Sequence, residues 1–248
     1  MTTPIGSIST MNIARGAIPG LTEGHKFGEN PSVGTAYETL WPLGGRYITP
    51  TVATTMTVSS SSTDDTSAGT GLRTVRVEGL DANYYEISET VTLNGQTAVT
   101  LSDQYLRVNR VEGMSAGSGE INAGIIYVGS GTVTTGVPAN KYNSISVGEG
   151  QSQFAFYTVP ADKTAYIDAI YGSSGAAKTT EFKMYARPFG EIFKVKFETQ
   201  VTGARFNHHF HSGERFEEKT DLDLVAKVDT GSAETYGGFE YTLEEKTR

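Results

Sequence analysis

The stretch Asn207-His208-His209-Phe210-His211 holds three of the chain's four histidines. If it is extended, His209 and His211 point to one face, and His208 lies with Phe206 and Phe210 on the other. Two imidazoles two positions apart on a strand can share a metal ion, with Glu214 or Asp221 adding an oxygen ligand. His209 and His211 are therefore the candidate metal ligands. No third ligand is fixed by spacing, so a polar strand or strand end accounts for the cluster more simply, with His208 packed between phenylalanines. Asp221 and Asp223 share a strand face, and paired carboxylates can hydrolyse glycosides, their separation setting inversion or retention. Alternation with Leu222 and Leu224 equally describes a wet face over a dry one, and that is the expectation adopted. Asp64-Asp65 lies in the run SSSSTDDTSAGTG, which does not promise the six or more oxygens that calcium takes; a solvated loop is expected. No Gly-x-Ser-x-Gly, Walker loop or His-Glu-x-x-His occurs. With no cysteine in the chain, thiolate catalysis, disulfides and Cys-based zinc sites are excluded. No catalytic residue is assigned, and no cofactor.

Composition narrows the partners. The 248 residues carry a net charge of −8 without a basic cluster, so a broad face for nucleic acid is not expected. No apolar run approaches membrane-spanning length, and the N-terminal stretch lacks the apolar core of a signal peptide. No membrane partner is expected. The 29 glycines, with abundant Ser and Thr, imply many turns.

The elements that must position these residues read as strands. Residues 1–50 show no periodicity and are broken by Pro4, Pro19, Pro31, Pro42, Pro50 and many glycines. Yet they carry Ile5, Ile8, Ile13, Ile18, Leu21, Phe27, Tyr37 and Trp41, which disordered tails lack. Two readings stay open: an extended arm whose anchors (Ile13, Ile18, Leu21, Phe27, Tyr37 and Trp41) bury in a partner, or a loose wrap over its own domain. The arm is the working expectation. It predicts that removing residues 1–45 leaves a folded core that no longer attaches to its assembly. A first β unit follows over residues 51–138. Its strands include Val52-Thr54-Met56-Val58, 73–78 and 87–93, and Asn94-Gly95 is expected to close a two-residue hairpin. The Gly- and Pro-bearing stretch 136–143 reads as the junction to a second unit, residues 139–248. There Phe182, Met184 and Ala186, then Phe193, Val195 and Phe197, then Leu222, Leu224 and Ala226, then Phe239, Tyr241 and Leu243 each alternate with polar neighbours. At the head of this unit, residues 151–171 read as a hairpin turning at Pro160 and Asp162, with Ala165, Ile167, Ala169 and Tyr171 on one face. Strands every ten residues or so, with one dry face each, predict an all-β chain: an N-terminal arm and two antiparallel β-sandwich or jelly-roll-like units, with little helix. The 13 tyrosines, some in outward or loop positions, suit interfaces.

The wording Tyr-Thr-Val-Pro-Ala-Asp-Lys-Thr-Ala-Tyr-Ile from Tyr157, HKFGENPSVGTAYETLW from His25 and TDLDLVAKV from Thr220 resembles virion structural proteins of tailed phages. Asp162 stands where such modules often have Gly, a departure that touches the turn. Across most of the chain the likeness is greatest to head decoration or cement proteins. It implies a non-enzymatic β module on the capsid lattice, often trimeric, with the major capsid protein or other virion proteins as partners, assembled in the host cytoplasm. No functional residue carries over. A tail, adaptor or fibre component binding host glycan is the alternative, and a carbohydrate-active enzyme the third reading.

Overall fold

The computed structural model describes residues 10–175 and 177–246. Pro4, Ile5 and Ile8 of the expected arm lie outside the described residues. Among the described residues, a single short helix, α1 (Thr10–Ala14), precedes β1 (Leu21–Val33) and β2 (Glu38–Thr39). Then come β3 (Thr54–Ser60), β4 (Leu72–Leu80), β5 (Glu86–Thr92), β6 (Val99–Tyr105), β7 (Arg107–Ala116), β8 (Ile126–Thr134) and β9 (Val137–Ile145). The chain closes with β10 (Phe156–Thr158), β11 (Lys163–Ser174), β12 (Thr179–Arg187), β13 (Lys194–Thr202), β14 (Arg205–Phe216), β15 (Asp221–Val228) and β16 (Ala233–Glu245). The chain is all-β, in four small antiparallel sheets.

Two sheets share one core. Strand order is β1-β16-β11-β14 in one and β10-β15-β12-β13 in the other. Renumbered along the chain, those eight strands run 1-8-3-6 and 2-7-4-5, the connectivity of a double-sheet jelly roll. Ile167, Ile170, Phe239 and Tyr241 from the first sheet meet Phe182, Met184, Leu222 and Leu224 from the second. The sheets β6-β3-β8-β9 and β5-β4-β7 face each other over Met56, Val58, Val75, Val77, Val111 and Ile126. This second sandwich is inserted within one strand position of the jelly roll. β2 and β10 both pair with β15, end to end, and Ala155 N donates to Leu40 O at 3.0 Å where the chain leaves and returns. An aromatic cluster of Trp41, Tyr47, Phe154 and Phe156 fills the junction.

Several expectations are corrected. Residues 21–50 are not a free strap: β1 pairs with β16 from Leu21 to Val33 and is an edge strand of the jelly roll. Its glycines and proline have packing reasons. A Cβ at Gly28 would lie 1.9 Å from Leu40 O, one at Gly24 would fall on the Tyr241 ring, and Pro31 occupies the register shift between Asn30 and Val33. The turn at residues 160–163 exists, with Asp162 at φ 61°, but it joins no hairpin, because β10 and β11 belong to opposite sheets. A bulge at Asp168 then changes the phase of β11, burying Ile170 and turning Tyr171 away from the face of Ala165 and Ile167. Gly95 has the expected positive φ of 59°, yet Asn94-Gly95 carries the chain between sheets, since β5 and β6 do not pair. Residues 136–143, read as a junction, lie in the β8–β9 hairpin. The face expected at Phe193, Val195 and Phe197 is split by a bulge at Lys196.

Candidate functional site

Strand β15 is where the expected wet face fails. Leu222, Leu224, Ala226 and Val228 enter the jelly-roll core as expected, but Asp221 and Asp223 are buried too, at 3% and 1% exposure. The segment after β2 and the base of the inserted sandwich cover their side. Arg107, at the start of β7, reaches across the seam with Nε 2.9 Å from Asp221 Oδ1 and Nη2 3.1 Å from Oδ2. Such a fork-to-carboxylate pair fixes orientation as well as charge. Arg187 Nε donates to Asp221 Oδ2 at 3.0 Å, and the Thr158 hydroxyl donates to Oδ1. Arg107 Nη1 also donates to Pro50 O and Leu106 O, both at 2.9 Å. Asp223 accepts from Arg46 Nε at 2.8 Å and from the Thr39 hydroxyl at 3.3 Å. Its other oxygen, Oδ1, is buried with no hydrogen-bond partner. Burial pushes the Asp223 carboxyl up to about 6, against the pull of Arg46. Asp221 is saturated by two guanidinium groups and a hydroxyl, so it is not placed as a proton donor or nucleophile.

Lys26 enters the same seam from β1. Its Nζ donates to Asn109 O and stands 5.6 Å from the Phe154 ring centre. Burial, aided by the nearby Arg110, lowers its ammonium to about 7. A cleft of about 370 Å³ opens beside it, lined by Arg110, Glu86, Lys163, Tyr157 and Tyr241. Asn109 continues the seam, exchanging hydrogen bonds of 3.3 Å with the backbone of Thr158.

The histidines stand on β14, an outer strand. His208 lies 4.8 Å from both Phe197 and Phe210 by ring centres, but it is exposed rather than half-buried, and Phe197 takes the place expected of Phe206. His209 pairs with Ala169 in the ladder, whereas His211 falls in the irregular stretch 210–213 before Glu214 meets Ile167. Of the oxygen ligands considered, Glu214 faces Lys196 at 3.5 Å and Asp221 is locked to its arginines. Among the described residues, no three His, Asp or Glu side chains gather as a metal site.

The remaining candidates divide. Ile13 and Trp41 are buried, while Ile18, Leu21, Phe27 and Tyr37 are half-buried. Tyr37 donates to Glu181 and lies between Lys227 and Lys183, whose Nζ atoms are 4.5 and 4.7 Å from its ring centre. That hydrogen bond, with both lysines, lowers the Glu181 carboxyl to about 2. The Ser/Thr loop is not solvated throughout. Asp65 is fully buried and accepts from Leu72 N at 2.8 Å, Ala123 N at 2.9 Å, Gly124 N at 2.8 Å and Ser60 Oγ at 2.6 Å. Sequence reading missed Arg46, Lys26, Arg107 and Arg187. The signal available was slight: Arg107 interrupts the apolar run Leu106 to Val108, and Lys26 sits between Gly24 and Gly28.

No protein-family model matches the chain, and no curated protein does. Among solved structures, that of the infectious bursal disease virus Gt strain aligns over 92% of this chain and 74% of that chain, at 10% identity and a TM-score of 0.23. The VP2 subviral particle of the same virus aligns over 91% of this chain and 77% of that chain, at 8% identity and a TM-score of 0.17. Scores of that size carry no argument about fold or role.

Proposed function

We propose that this chain is a non-enzymatic virion structural protein, in the manner of a capsid decoration or cement protein. The observation that carries the reading is the state of Asp221: one of the two carboxylates weighed for glycoside hydrolysis is consumed in a buried arginine network joining two sandwiches. Chemistry needs a group free to change its bonding, and this one is a rivet. The jelly-roll connectivity adds fold-level support, since that architecture serves viral capsids, though also lectins and cupins. The sequence resemblance to tailed-phage virion proteins selects the first of these. Partners are then the major capsid protein or other copies in the head lattice. Among the N-terminal anchors, Ile18, Leu21 and Phe27 keep enough exposure to contact a neighbour, whereas Ile13 and Trp41 are spent inside the chain.

The test is immunogold electron microscopy of particles from a culture expressing this chain, with thermal release of the packaged genome as a second readout. Label over the heads, and heads that burst at lower temperature without the protein, are the expected results. Label on tails supports the receptor-side alternative, and absence from particles overturns both.

A further inference from the structure

Four large apolar side chains stand further into solvent than any other described residue of their kind: Ile48 at 81%, Ile192 at 75%, Val52 at 69% and Phe189 at 65%. They gather at one end of the jelly roll. Thr49 accepts from Arg187 and Pro50 from Arg107, so residues 49–51 form a ridge between two grooves. One groove runs under Ile48 and Val52, and the other is bordered by Phe189 and Tyr84, whose rings meet at 5.7 Å. The rim has a cationic excess: Arg46, Lys141, Arg107, Arg187 and Lys219 line the grooves with Glu191 and Asp221. Arg46 is spent on Asp223, and Arg107 and Arg187 on Asp221, which leaves Lys141 and Lys219 without an ion pair among the described residues; Lys219 Nζ lies 5.5 Å from the Phe189 ring centre.

The other end has the opposite character. Strand register sets Glu29 against Tyr236, and Glu234, two residues earlier on β16, shares that face. Glu149 approaches them from the loop that exposes Val147. None of these three carboxylates pairs with a Lys or Arg among the described residues. Burial, with the like charges of Glu234 and Glu149, holds the Glu29 carboxyl above its ordinary value. The two ends are a strand apart. β12 runs from Thr180, opposite Val228 and bonded to Ser174, to Arg187, opposite Asp221, roughly 23 Å at 3.3 Å per residue.

We propose that copies of this chain associate head to tail, the cation-rimmed apolar end around Ile48 and Ile192 seating on the Glu29, Glu149 and Glu234 face of a second copy. Charge complementarity favours a second copy as the occupant. A chain of net charge −8 repels itself from most directions, and this end is where it attracts. Because the two surfaces differ, the contact is heterologous and repeats into a ring or an open chain, rather than closing as a two-fold dimer. The inference does not depend on a virion role.

The test uses two variants of the full chain. Ile192→Asp with Lys219→Glu spoils the apolar end, and Glu29→Lys with Glu234→Lys spoils the acidic face. Sedimentation velocity at low salt should show the parent chain in oligomers above dimer and each variant as a monomer, its fold checked by near-ultraviolet circular dichroism. An equimolar mixture should give a heterodimer, since one good surface of each kind remains. Raising salt to about 0.5 M should weaken the parent's association at least tenfold. A monomeric parent, a variant that assembles like the parent, or a mixture that stays monomeric overturns the proposal. If a variant does not fold, Phe189→Asp replaces the first pair and Glu149→Lys the second. A monomer that still decorates heads would sink this inference while leaving the proposed function standing.

Discussion

Asp221 shows how far a single side chain's role depends on what crosses over it. A carboxylate alternating with leucines reads as a surface group, and partners as distant as Arg107, 114 positions away, make it a buried one. Removing it should be costly, because Arg107 and the half-buried Arg187 would lose their counter-charge. Asp221→Ala is expected to lose about 3–5 kcal/mol in urea unfolding, the range for breaking a buried pair from one side. Lys26 gives the complementary case. Its folded value of about 7 lies below the ordinary 10.5, so between those values the unfolded chain holds more protons. Stability should therefore climb as pH rises from about 7 towards 10, and the full cost of burying the charge is felt below 7. Lys26→Met should flatten that slope and stabilise the protein at pH 7 by on the order of a few kcal/mol, seen as a higher melting temperature. An unchanged pH slope would show that Lys26 is not the group responsible. Neither role was legible from the residue's neighbours in sequence. Asp65 was hidden the same way: a carboxylate in a Ser/Thr run looks wet until four donors from three segments converge on it.

Strands were legible where one face is dry and the ladder is regular. Phe182, Met184 and Ala186 alternate in burial with Glu181, Lys183 and Tyr185 as the pattern requires. Pairing was not legible. A turn signal such as Asn94-Gly95 states that the chain bends there, and says nothing of which sheet it enters next. β1 was misread because its glycines answer close approach by Leu40 and Tyr241, contacts made by distant segments. The deletion expected to spare the core now has the opposite outcome. Removing residues 1–45 takes β1 from one sheet and β2 from the other, so the product should lack a cooperative thermal transition by circular dichroism. The outer strands are also better guarded than exposure suggests. β13 carries a bulge at Lys196, and β14 breaks register before Glu214, both of which discourage strand addition by a neighbour. Side-chain contact at the molecule's ends is the better route to assembly than main-chain pairing at its edges.

At the scale of the whole molecule, the fold joins its first strand to its last. β1 and β16 pair although more than 200 residues part Leu21 from Glu244, so the jelly roll cannot close until nearly all of the chain is present. The inserted sandwich, contiguous from β3 to β9, has no such wait and is free to form earlier. Its entry and exit at Leu40 and Ala155 are a single hydrogen bond apart. That doorway makes the insert a cartridge. Evolution, or an engineer, can reshape or exchange what hangs there while the eight-stranded frame keeps its own wiring. The toll is local: whatever replaces the native module must match the guanidinium that Arg107 lends Asp221, or leave that carboxylate to Arg187 alone.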